Sequence, residues 1–109
     1  MAKFIQVVTT VDSREGAEKI AETVVDTRLA ACVQISECRS MYRWQGSIEN
    51  SGEFVCVMKS RVDLFAALDQ AVRQVHPYEV PELLATEIFT GNSDYLAWLD
   101  GELLPAQSR

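Results

Sequence analysis

The sequence predicts a single α+β domain spanning residues 1–109, and three observations carry that class. Segments rich in β-branched and alternating apolar residues, such as Lys3–Thr10, are interleaved with segments of helical spacing, such as Ala17–Val25 and Leu64–Val75. Turn-forming residues fall between the segments rather than within the helices. The length is enough for one hydrophobic core.

Taken in order, Lys3–Thr10 reads as a strand buried on at least one face. Asp12, with Glu15 three residues later, has capping-box spacing. Ala17, Ile20, Ala21, Val24 and Val25 then form the apolar stripe of a helix running to about Arg28, with Arg14, Glu18, Lys19 and Glu22 facing water. Leu29–Trp44 is extended and long for one strand, which predicts a bend or bulge near Ser36–Ser40. Gln45-Gly46 suits a hairpin turn, and Asn50-Ser51-Gly52 is a second turn candidate. Glu53–Ser60 is extended again. Ser60 followed by Asp63 marks a helix start, and Leu64, Phe65, Leu68, Ala71, Val72 and Val75 carry that helix to His76. Leu83–Phe89 reads as a fourth main strand. Ser93 then caps a short helix with Tyr95, Leu96, Trp98 and Leu99, and the chain from Pro105 reads as a frayed tail. The order β-α-β-β-α-β is the ferredoxin-like arrangement, an antiparallel sheet with both main helices on one face.

Composition narrows the function classes. A net charge of −6 argues against the nucleic-acid backbone and against an anionic membrane surface. No apolar run approaches the ~20 residues of a spanning helix. Met1-Ala2-Lys3-Phe4 passes straight into a strand pattern, so a cytoplasmic protein without a signal peptide is expected. Three cysteines without regular spacing fit free thiols in a reducing compartment.

The chemistry gathers in Val75-His76-Pro77-Tyr78-Glu79-Val80-Pro81-Glu82, which holds the only histidine and two of the three prolines. Pro77 stops the helix, and the residue before a proline is pushed out of helical geometry, so His76 stands at the helix end. Pro81 keeps the following chain extended. An imidazole, a phenol and a carboxylate are thus presented from a stiff connector, where a simple change of direction would use Gly, Asn or Asp.

The segment His76-Pro77-Tyr78-Glu79-Val80-Pro81-Glu82 resembles the signature of the CutA family of divalent-cation tolerance proteins. So do Arg28-Leu29-Ala30-Ala31-Cys32-Val33, Tyr42-Arg43-Trp44-Gln45-Gly46-Ser47-Ile48 and Tyr95-Leu96-Ala97-Trp98-Leu99, in the family's order and across nearly the whole chain. The resemblance implies the ferredoxin-like fold, a homotrimer whose sheets pack on one another, and a response to divalent metal ions, copper foremost. It implies no reaction and no organic cofactor.

Trp44, Lys59, His76, Tyr78 and Glu79 match family positions and are the ligand-binding candidates. His76, Cys32 and Glu79 are the metal candidates, since imidazole, thiolate and carboxylate all coordinate. No Cys-x-x-Cys or His-x-x-x-His spacing marks a preformed tetrahedral site. Cys32 and Cys38 on one strand stand ~20 Å apart, too far for one ion unless the strand folds back. Cys38 and Cys56 face each other across the hairpin in some registers and not in others. Each cysteine also reads as a small buried hydrophobe, each tryptophan as core or interface, and His76 with Glu79 as a helix-end cap. The alternative function is a signalling trimer of the PII type, which shares this fold and binds a small effector between subunits. Lys59 and His76 bracket one helix about 15 residues long, so ~22 Å separates them, and a cleft using both needs two subunits.

Overall fold

The computed structural model describes residues 3–107. Met1 and Ala2 of the predicted N-terminus, and Ser108 and Arg109 of the predicted tail, lie outside the described residues.

In strand β1 (Phe4–Val11), Ile5, Val7, Thr9 and Val11 are buried and their neighbours only half-buried. A pleated strand sends alternate side chains to opposite faces, so this pattern gives one face to the core. β1 lies between β3 (Ser47–Arg61) and β4 (Leu84–Glu87), and β3 pairs on its far side with β2 (Cys32–Trp44). All pairs are antiparallel and the order is β2-β3-β1-β4, as the ferredoxin-like reading requires. Helices α1 (Arg14–Asp26) and α2 (Phe65–Val75) supply Ala17, Ile20, Val24, Leu68 and Val72 to one core with Val7, Val11, Cys56 and Met58. Each large apolar side chain buried this way contributes about 1.5–3 kcal/mol. Helix α3 (Ser93–Glu102) adds Leu99, and Leu103 follows just beyond it.

Several local expectations are corrected. The β2–β3 pairing runs one-to-one from Cys32↔Lys59 to Trp44↔Ser47, so there is no bulge at Ser36–Ser40. Asn50-Ser51-Gly52 lies inside β3 and does not turn. The only turn of this ribbon is Gln45-Gly46, with φ of 50° and 83°. Positive φ at both central residues is the type I′ geometry that matches strand twist. Ser13, not Asp12, caps α1: its Oγ accepts from the Gly16 N–H at 3.0 Å. Asn92, not Ser93, caps α3, accepting from the Tyr95 N–H at 3.0 Å. The fourth strand is only four residues long.

The expected helix start at Ser60 is also displaced. β3 continues through Arg61, a 3-10 turn covers Val62–Leu64, and α2 begins at Phe65. Ser60 is buried, and its hydroxyl donates to the Leu29 carbonyl at 2.6 Å. Asp63 instead binds the buried Arg61, whose Nε and Nη2 donate to its carboxylate at 2.6 and 3.0 Å. Arg61 further reaches Asp100 at 2.9 Å and the Leu104 carbonyl at 2.8 Å. The Arg61 hydrogen bonds hold the Asp63 carboxyl down at about 2. Gln107 donates its N–H to Asp63 at 2.9 Å, so the segment after Pro105 is tied down through Gln107 rather than frayed.

Candidate functional site

Pro77 has no amide proton, and α2 ends where predicted: His76 is its C-cap, with φ −80° and ψ 132°. The His76 imidazole is buried, with Nε2 2.9 Å from the Thr10 carbonyl oxygen. Its Nδ1 accepts the Tyr78 N–H at 3.1 Å. A carbonyl only accepts and an amide only donates, so the ring is neutral with its proton on Nε2. Neither nitrogen keeps a free lone pair for a metal. The Tyr78 ring stands edge-on to His76 at 4.8 Å between centroids.

Tyr78 carries this order to the far side of the sheet. Its hydroxyl donates to Glu53 Oε2 at 2.6 Å. Burial, reinforced by the Glu53 carboxylate, pushes the phenol well above its usual range, so it stays protonated and donating. An open cleft of about 710 Å³ lies between this connector and the hairpin. Tyr78, Glu79, Val80 and Glu82 form one wall; Arg39, Met41, Tyr42 and Trp44 form the other, and Glu53 joins them.

The structure therefore brings Trp44, Tyr78 and Glu79 to one cleft, with His76 behind it as the positioning group. Lys59 does not join them. It lies six residues along β3 from Glu53, ~20 Å at strand rise, and its Nζ donates to Gln34 Oε1 at 3.0 Å. It precedes no helix N-terminus. Cys32 sits beside Lys59 at the start of β2, so His76, Cys32 and Glu79 of one chain do not converge. Among the described residues, no group of three or more His, Cys, Asp and Glu side chains is placed to hold a metal ion.

The register also separates the other thiols: Cys38 opposes Glu53 and Cys56 opposes Ile35. Cys56 is buried, and burial raises its thiol to about 11, so it remains a protonated core side chain at neutral pH. Glu53 is the cleft residue that sequence reasoning missed. A carboxylate only 7% exposed within a strand is the signal, and it becomes visible once the register is known.

Residues 5–102 match the family model described as CutA1 divalent ion tolerance protein. The chain belongs to the CutA1 family. The divalent-cation tolerance protein CutA of Pyrococcus horikoshii is 39% identical over 96 residues, covering 88% of this chain and 94% of that protein. Its Thermus thermophilus counterpart is 44% identical over 94 residues, covering 85% of this chain and 91% of that one. The crystal structure of CutA1 from Oryza sativa superposes with a TM-score of 0.91 at 35% identity, covering 94% of each chain. Among the described residues, no helix is long and apolar enough to cross a membrane.

Proposed function

We propose that this CutA1 chain serves divalent-cation tolerance in the cytoplasm as a homotrimer, with copper the foremost ion. The observation that carries the assembly is the hairpin arm. Met41, Tyr42, Trp44 and Ile48 are 71, 44, 51 and 65% exposed on one ribbon. Val8, Val55 and Val57, on the sheet face away from the helices, are only half-buried. Packing each arm and sheet against a neighbour removes this apolar exposure, and three-fold symmetry closes such contacts into a ring. The family model and the Pyrococcus and Thermus relatives carry the divalent-cation name, and none of the matches favours the PII-type reading.

The residues of one chain do not fit a resident metal ion, because the imidazole is fully hydrogen-bonded and the thiol and carboxylate stand apart. The ion is therefore a substrate met where subunits adjoin, through exposed donors such as Glu79 and the half-buried Cys32 of different copies. Calorimetric titration of the reduced protein with copper tests this. Saturable binding lost in Glu79→Gln or Cys32→Ser is expected, and heats no larger than dilution for the wild type would end the reading. Sedimentation tests the assembly: Trp44→Asp should weaken the trimer more than any change on the helix faces. A wild-type monomer stable at micromolar concentration would contradict it.

A further inference from the structure

Imidazole is the side chain whose ordinary titration falls between about pH 5 and 8, and His76 is the only histidine of the chain. The ring is 8% exposed and both its nitrogens are engaged. Nε2 donates to the Thr10 carbonyl at 2.9 Å, and Nδ1 accepts the Tyr78 N–H at 3.1 Å. The two bonds respond differently to a proton. An Nε2–H is present in the neutral and the charged ring alike, so the bond to Thr10 persists. A proton on Nδ1 removes the lone pair that holds the Tyr78 amide and sets one N–H against another. The two charge states of the ring therefore demand two arrangements of the connector. Both bonds lie within one chain and do not depend on what covers the hairpin.

The structure also shows what surrounds a charged ring. On its own helix, Arg73 lies in the last turn and is already paired with Asp69 at 3.2 Å. On the β1 side, Asp12 follows the strand, and Glu82 Oε1 stands 3.4 Å from Thr10 Oγ1. On the connector, Glu79 follows Tyr78 directly. From β3, Glu53 accepts the Tyr78 hydroxyl at 2.6 Å. The carboxyl end of α2 contributes the negative end of its dipole. A charged ring thus has negative groups about it, and the specific contact it loses is the Tyr78 amide.

We propose that His76 is a proton-operated latch on the connector after α2. Neutral, it holds the Tyr78 backbone, and Tyr78 in turn holds Glu53 at the base of the hairpin. On taking one proton from solvent, the ring keeps the Thr10 carbonyl and releases the Tyr78 amide. The connector then loosens between Pro77 and Pro81 while the core beneath stays closed.

Hydrogen exchange on the intact protein, divided at each pH by the intrinsic rate, measures opening at the Tyr78 amide. The ¹⁵N shifts of the His76 ring read its protonation in the same samples. Opening at Tyr78 should rise about tenfold as the ring takes its proton, the scale of one lost hydrogen bond. The amide of Val7, in the core, should stay level over the same range. His76→Asn puts a carbonyl oxygen that does not titrate in place of Nδ1, and should flatten the Tyr78 profile. A flat wild-type profile, an equal rise at Val7, or a rise that persists in His76→Asn would overturn the latch. Should His76→Asn fail to fold, the wild type decides alone: opening at Tyr78 and the ring shifts must share one midpoint, and separate midpoints overturn the proposal.

Discussion

The two halves of the β2–β3 ribbon share one ladder and one register, yet their side chains live in different worlds. In the near half, Cys56 and Met58 are completely buried. In the far half every residue from Met41 to Asn50 is exposed. The pairing is equally continuous in both. What differs is the cover: β1 pairs with β3 only from Phe54 onward, and no helix residue belongs to the arm. Strand pairing satisfies backbone groups; burial comes from layers, and the arm lacks a second layer within its own chain. Its aromatic residues Tyr42 and Trp44 are therefore left open in the single chain, whereas the near half is complete.

The largest test of this contrast is Met58→Ala. A large-to-small change at a fully buried core position should cost about 2–5 kcal/mol in denaturant unfolding. If the change is nearly silent, the near half is not the cooperative core described above.

His76→Ala probes the joint between the halves. It leaves the Thr10 carbonyl and the Tyr78 N–H without their partners, which should cost about 2–3 kcal/mol. Hydrogen exchange at the Tyr78 amide should rise with it. An unchanged exchange rate would show that the ring does not hold the connector.

A smaller effect is expected in acid. The Asp63 carboxyl is held at about 2 against an ordinary 3.8, so its contribution is whole above pH 4 and lost as pH falls through 2. The depression corresponds to about 2 kcal/mol, and Asp63→Asn should flatten stability across that window. A wild-type curve already flat there would mean the Arg61 pairing adds nothing.

The smallest effect belongs to the arm. Ile48→Ala should leave the unfolding free energy of the single subunit within about 0.5 kcal/mol, because Ile48 touches water rather than core. A core-sized loss would erase the distinction between the halves.

Much of this architecture is legible in the sequence, and the misses have physical causes. The helix stop at His76-Pro77 rests on covalent geometry, which tertiary context does not override. The expected turn at Asn50-Ser51-Gly52 rests on composition alone, and the ladder with β2 outweighs it. Ser13 and Asp12, like Asn92 and Ser93, are adjacent capping residues that local chemistry scarcely separates. The Cys38–Cys56 question was answerable: a two-residue turn at Gln45-Gly46 pairs Trp44 with Ser47, and counting outward sets Cys38 against Glu53. The same count places Glu53 at the base of the hairpin. Its bond to Tyr78, 25 residues away, depends on how the connector crosses the sheet, which no local pattern records.

The clasp around Arg28 bears on the order in which this molecule is made. Arg28 adopts φ 62°, a left-handed conformation that costs an L-residue about 1–2 kcal/mol. Its guanidinium donates to the Glu102 and Gly101 carbonyls, both at 2.9 Å, and so caps α3 with positive charge. Leu104 returns a backbone hydrogen bond to the Arg28 carbonyl at 3.1 Å. The strain at residue 28 is thus offset by groups synthesised more than 70 residues later. Leu99 and Leu103 belong to the same delayed delivery, and the core stays open until they arrive. A nascent chain lacking α3 holds a sheet and two helices around a missing wall, so closing this core waits on the emergence of α3.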